Sequence, residues 1–303
     1  MINALLVALG IVSAIFLLFF LKDFFKNRTQ PHGGGWPILL GIGFGTNFFD
    51  TLGIGSFAPT TAFYKFLRLV DDKDIPGTLN VGHAIPVVTQ AAIFITVIEV
   101  ESVTLISLLV ASVAGAVLGA GIVSNLPQRK IQLGMGLALV TVAVALLAGL
   151  VGLFPAGGDA VGLTGWKLLL AGVVSFILGA LMTIGVGFYA PCMALVYALG
   201  LSPLVAFPVM MGSCAFLMPA AGVRFIRAGA HNRKAALSLA LGGIPGVLLA
   251  AFVITSLPLV ILKWVVLAVI LYTSLSMFKS AAGKEWNPVF LRRLFQKKPT
   301  ADP

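Results

Sequence analysis

The chain has 303 residues, 59% hydrophobic and only 10% charged, against roughly 25% charged in a soluble domain. That composition leaves no room within it for a separate soluble domain. A net charge of +10 would point to nucleic acid in a soluble protein. Here the basic residues fall between apolar stretches and near the end of the sequence, where loop charge sets membrane orientation, so nucleic-acid binding drops out. Cys192 and Cys214 both lie inside apolar segments, so no disulfide framework is indicated.

A helix needs about 20 apolar residues to cross the hydrocarbon core of a bilayer, and stretches of that kind recur along nearly the whole sequence. The first, Ile2 to Leu21, has no basic residue before it and no small-residue cleavage pattern after it. Lys22, Lys26 and Arg28 follow instead, so it reads as a retained helix with its N-terminus outside. After a glycine-rich link, Pro31 to Gly35, a short pair of helices is expected at 36–52 and 56–70. Longer spans follow at 76–98, 102–124 and 129–153. The pattern then recurs, with a short pair at 166–184 and 188–200 and spans at 204–223, 234–256 and 259–279. From Lys284 onward a basic cytoplasmic tail ends the chain, and its stretch Trp286 to Phe295 fits either the membrane surface or solvent.

The recurrence extends to individual residues. Gly53-Ile-Gly55-Ser56-Phe57-Ala58-Pro59 matches Gly185-Val-Gly187-Phe188-Tyr189-Ala190-Pro191 at a displacement of 132 positions. Trp36 precedes the first and Trp166 the second. Gly115-Ala-Val-Leu118 aligns with Gly246-Val-Leu-Leu249, Leu126-Pro127 with Leu257-Pro258, and Gly82 with Gly212, all at displacements of 130 or 131. Matches in one order at one spacing argue for an internal repeat. The halves are 31–155 and 156–282, preceded by an extra helix and basic loop at 1–30 and followed by the tail at 283–303. If each short pair begins and ends on one side, all the basic residues except Lys167 and Lys263 fall on one side, while Glu99, Glu101 and Asp159 populate the other. The expected fold is therefore an all-α polytopic protein of the cell inner membrane, an inverted-topology repeat with its C-terminus cytoplasmic.

Each short pair turns on Gly-x-Gly-x-aromatic-Ala-Pro. Two glycines and a proline break a helix, and proline is tolerated at a helix start, so Pro59 and Pro191 are expected to open second half-helices. A non-helical turn at membrane depth survives only when buried in protein or lining a wet cavity. The half-helix N-terminus beyond it offers free N–H groups and a positive dipole end, which bind anions. Paired interrupted segments in two halves mark a transporter site. The bland alternative is close packing of small residues, which fits Gly115-x-x-x-Gly119 either within one protomer or between protomers of a homo-oligomer.

The expected substrate-binding residues are Gly53, Gly55, Ser56, Pro59, Thr60, Thr78, Asn80, Gly185, Gly187, Tyr189, Pro191, Cys192 and Ser213. Asp50, three positions before Gly53, is the acidic residue placed within a membrane segment, and its counterpart Met182 cannot titrate. Intramembrane ionisable groups are costly and usually functional. Asp50 is a proton-coupling candidate, or a carboxyl bonded structurally to Thr46 or Asn47. His83 is the second such candidate, with a neutral, hydrogen-bonded histidine as its alternative. Cys192 follows Pro191 at a helix start, where thiols can become reactive, although buried membrane cysteines usually fill space. No His-Glu-x-x-His metal site, Walker loop or serine elbow is present. No enzyme activity, metal or cofactor is expected.

The Gly-Ile-Gly-Ser-Phe-Ala-Pro turn, Gly200-Leu-Ser-Pro203 followed by Gly212-Ser213, and Arg224-Phe-Ile-Arg227-Ala-Gly229 leading into Gly242-Gly243-Ile-Pro-Gly246 together resemble the sulfite exporter TauE/SafE family of membrane permeases. The resemblance covers about residues 36–280 and rests on the order of loose glycine and proline motifs. It implies a secondary carrier of sulfite and related sulfur-containing anions or organosulfonates, commonly working as an exporter. The first half departs from the pattern: Val70-Asp-Asp-Lys-Asp74 stands where the second has Gly-Leu-Ser-Pro. Two other readings are an anion channel and an intramembrane sulfur-handling protein using Cys192 and His83.

Overall fold

A computed structural model describes residues 2–27, 35–155, 157–252 and 259–283, without the side chains of 259–262. Most of the glycine-rich link, Arg28, Leu257-Pro258 and the basic tail lie outside the described residues. The described chain is helical apart from its connections. The helices are α1 (Ile2–Lys26), α2 (Trp36–Thr51), α3 (Phe57–Leu67), α4 (Ile75–Gly82), α5 (Ala84–Val97), α6 (Ser102–Val123), α7 (Gln128–Leu150), α8 (Gly165–Met182), α9 (Tyr189–Ala198), α10 (Ala206–Ala228), α11 (Arg233–Phe252) and α12 (Leu259–Ala281). Among the described residues, eight spans are long and apolar enough to cross a membrane, with α4 and α5 forming one of them. The protein is an all-α, multi-pass protein of the lipid bilayer.

The span expected at 76–98 is broken at His83, between α4 and α5. Pro86 explains the break, because its ring has no N–H to give the carbonyl four residues back, at Gly82, and crowds it as well. The second half has Phe216 in that register, and α10 runs unbroken there, continuing even through Pro219 three residues on. The half-helices start within one residue of the expected 56 and 188, but ahead of the prolines expected to open them. α3 begins at Phe57 and α9 at Tyr189, so Pro59 and Pro191 each sit third in their helix, still in the first turn where a missing N–H costs nothing.

Helix pairing repeats between the halves. α2 packs along α11 as α8 packs along α6; α10 meets α6 as α4 and α5 meet α11; α3 meets α12 as α9 meets α7. The close approaches recur at matched positions. A Cβ on Gly115 would strike the Phe176 carbonyl of α8, and one on Gly246 would strike the Phe44 carbonyl of α2. Gly115 aligns with Gly246 and Phe176 with Phe44, so one contact is built twice. Small residues let helix backbones approach this closely in lipid, and here Gly115 and Gly119 both serve packing within the chain, against α8.

Polar contacts gather the helix ends into two groups. At one end Arg233 donates to the Asp23 carboxylate through Nε at 2.7 Å and Nη2 at 3.2 Å, tying α1 to the start of α11. His231 lies between them, 3.4 Å from Asp23; burial pushes its imidazole down to about 4 against the opposing pull of that carboxylate. Lys234 covers the Trp36 ring at the start of α2, and the Asn232 N–H donates to Thr78 Oγ1 of α4 at 2.8 Å. Asp72, just before α4, accepts from Lys65 of α3 and from Gln132 of α7, and Lys65 also donates to Ser280 of α12. This end therefore holds both the start of α2 and the end of α3.

At the other end the segment before α8 lies over its neighbours. The Glu101 N–H donates to the Val161 carbonyl at 2.9 Å, Ser202 to Ala160 at 2.8 Å and Gly158 to Leu201 at 3.0 Å. Lys167 of α8 donates to the Leu199 carbonyl just past α9, so this end holds the start of α8 and the end of α9. Glu101 caps α6 by accepting from the Thr104 hydroxyl and from the N–H groups of Thr104 and Val103. Those bonds hold its carboxyl below the ordinary glutamate range, the Thr104 hydroxyl first among them.

Candidate functional site

Both short pairs turn in the middle of the bundle, by the same hydrogen bonds. Gly53 donates to the Asp50 carbonyl and Ile54 to that of Phe49; Gly185 donates to Met182 and Val186 to Leu181. These are the bonds of a glycine-closed helix end, which needs a left-handed residue, and φ is +85° at Gly53 and +109° at Gly185. The first glycine of each motif thus ends a helix. The second differs between the halves: Gly55 is left-handed at +91°, whereas Gly187 takes an ordinary φ.

The two turns face each other across a cavity of about 30 Å³, about the room one or two waters need. Asp50, Ile54, Gly55, Ser56, Phe57 and Ala58 line it from the first half, and Met182, Gly187, Phe188, Tyr189, Cys214 and Met218 from the second. The first N–H groups of α3 and α9 have no helical acceptor; the earliest to find one are those of Thr60 and Cys192, bonded to the carbonyls of Ser56 and Phe188.

One network crosses the pseudo-symmetry. The Tyr189 hydroxyl, from the second half, lies 3.1 Å from Asp50 Oδ2 and 2.9 Å from Gln90 Oε1. Gln90 Nε2 donates to Asp50 Oδ2 at 2.9 Å and to Thr51 Oγ1 at 3.0 Å. Ser56 interacts with the same carboxyl through its hydroxyl and its backbone N–H. Asp50 is therefore not bonded to Thr46, whose hydroxyl turns back to the Ile42 carbonyl, nor to Asn47. With Gln90, Ser56 and Tyr189 around one buried carboxyl, the group is held on the cavity wall by both halves.

A second network lies beside it. Asn47 Nδ2 donates to the Gly43 carbonyl at 2.7 Å, which turns Asn47 Oδ1 toward His83 Nδ1 at 2.9 Å. His83 Nδ1 is then the protonated nitrogen, and Nε2 accepts from the Thr60 hydroxyl at 3.0 Å. Both ring nitrogens are satisfied, and His83 does not line the cavity.

Of the residues singled out in the sequence, Asp50, Gly55, Ser56, Gly187 and Tyr189 share the cavity wall. Gly53 and Gly185 shape the turns, and Pro59, Thr60, Pro191 and Cys192 sit in the first turns of α3 and α9. Thr78 lies away from them, bonded to Asp74 and Asn232. Asn80 donates to the Pro76 carbonyl, while its Oδ1 and the Ser213 hydroxyl are buried without a partner. Cys192 is buried behind the wall, and Cys214, 3.7 Å from the Met182 sulfur, reaches it. Sequence reading missed Gln90; its signal was a lone amide seven residues after His83, two helical turns along an apolar span. Among the described residues no His, Cys, Asp and Glu cluster fit to hold a metal is present.

Comparison with protein-family models, with curated proteins and with solved structures finds no match.

Proposed function

We propose that this chain is a secondary transporter of small anions, carrying sulfite or related sulfur oxyanions and organosulfonates, with its site between the two Gly-x-Gly turns. The observation that carries the reading is the meeting of the two half-helix starts at one cavity, with Tyr189 of one half bonded to Asp50 of the other. Free N–H groups and two positive helix ends converge there, an arrangement that favours negative charge. The TauE/SafE resemblance names the same class of cargo.

The two groups of helix ends support an inverted repeat. α2 starts and α3 ends among the contacts of Asp23, Asp72 and Arg233; α8 starts and α9 ends among those of Glu101 and Ala160. The basic residues make the first group the cytoplasmic side of the inner membrane, with α1 beginning outside. Opposed repeats around a midplane site fit alternating access by movement of one against the other.

Asp50 sets a condition on the cargo. An anion about 4 Å from an ionised carboxylate is repelled by about 4 kcal/mol at an effective dielectric of 20, which cancels much of what two helix ends give. Anion and proton therefore move together, the proton on Asp50. Purified protein in liposomes is expected to pass sulfite, thiosulfate or a simple sulfonate saturably and faster when the source side is acidic. Flux of none of them would overturn the reading, and flux that neither saturates nor follows the proton gradient would make the protein a channel.

A further inference from the structure

Resting on the carrier reading, we propose that one face of α3 is the inner wall of the cytoplasmic half of the route, with the Thr61 and Tyr64 hydroxyls as hydrogen-bond donors to a passing oxyanion. Phe57, Thr61 and Tyr64 recur at every third or fourth position and so share that face, and Arg68 follows at its end as the left-handed cap of α3. Its upper end, Phe57, lines the central cavity. Its lower end opens on a vestibule of about 590 Å³ lined by Tyr64, Lys65, Arg68, Asp71, Asp72 and Gln132. The 11 residues of α3 cover about 16 Å, roughly half the hydrocarbon thickness.

The hydroxyls between those two openings point to a use. Thr61 and Tyr64 are 1% and 0% exposed, and neither hydroxyl has a hydrogen-bond partner. Many other helix hydroxyls turn back to a carbonyl of their own helix, as those of Thr46, Thr51 and Thr141 do; Ser175, Ser213 and Ser276 are also buried without a partner, but none of them lies on α3 between the two openings. Buried unpartnered donors are costly, and a solvated ion or its water shell is what would satisfy them in transit. The vestibule's charges are balanced: Lys65 pairs with Asp72, and Arg68 and Asp71 lie beside them. A balanced vestibule admits an anion without trapping it, and the neutral hydroxyls above it offer donors without fixed charge.

The other half lacks this equipment. At the repeat displacement Thr61 and Tyr64 correspond to Met193 and Val196 of α9, and Arg68 to Gly200 just past it, so beyond Tyr189 the matching face is apolar. The two half-routes differ in wetting, and the cytoplasmic one is the polar one.

The test is labelling of single introduced cysteines in reconstituted full-length protein by a membrane-impermeant thiosulfonate, with the native chain as background. Thr61→Cys and Tyr64→Cys are expected to react about tenfold faster than Ala62→Cys, a buried neighbour on another face of α3, since thiol reaction requires access for the reagent and water. Equal, slow labelling at all three positions would overturn the route while leaving anion flux to stand or fall by its own assay. Because Tyr64→Cys could misfold, Tyr64→Phe serves beside it. Losing one donor should slow anion flux about fivefold with Tm unchanged, and unchanged flux would overturn the role of that hydroxyl.

Discussion

Replacing Asp50 with asparagine is expected to uncouple transport from protons while leaving the fold in place. In wild type with one proton per anion, each pH unit across the membrane sustains about a tenfold accumulation of anion, equivalent to about 1.4 kcal/mol. The variant should reach an accumulation ratio near unity at any pH gradient, with flux that no longer varies with pH. An asparagine keeps an oxygen where Asp50 Oδ2 accepts from Gln90 and Tyr189, so Tm should change little. Retention of the tenfold response would assign coupling elsewhere. His83 is the weaker candidate, because Asn47 and Thr60 already occupy both its nitrogens away from the cavity wall.

The second large effect concerns the matched helix crossings. Gly115→Leu and Gly246→Leu each drive a side chain into a carbonyl of the neighbouring helix, Phe176 and Phe44 respectively. Forcing such a pair apart costs about 1–3 kcal/mol or more, and both variants should lose Tm in detergent by similar amounts. Gly121→Leu is the control, since nothing lies within 4 Å of a Cβ there. The double variant should lose the two increments together, because the crossings share no residue. A Gly115→Leu protein as stable as Gly121→Leu would refute the close crossing of α6 and α8.

Much of this fold was legible because membrane helices announce themselves by length and by glycine and proline at the breaks. The repeat of Gly53–Pro59 in Gly185–Pro191 located both turns before any contact was known. The bounds 56 and 188 met the helix starts at Phe57 and Tyr189 within one residue, but Pro59 and Pro191 do not open those helices, because proline is as comfortable anywhere in a first turn as at its first position. The break at His83 was overlooked although Pro86 announced it. What sequence pattern does not carry is pairing across distance. Tyr189 was expected at the site as the motif's aromatic, but nothing in the pattern tied it to a carboxyl 139 residues earlier. Thr78 belonged by spacing to the site, but the close approach of Asn232 holds it at the basic end.

The central claim is that an anion sits between the two turns, held by both halves. It is tested most directly by locating selenite or selenate, anomalously scattering analogues of sulfur oxyanions, in crystals of the full chain at acidic pH. The account predicts one anomalous peak within hydrogen-bonding distance of Ser56 and Tyr189, lost in the presence of excess sulfite or sulfate. A peak confined to the protein surface or to the vestibule, with none between Gly53–Thr60 and Gly185–Cys192, would contradict it.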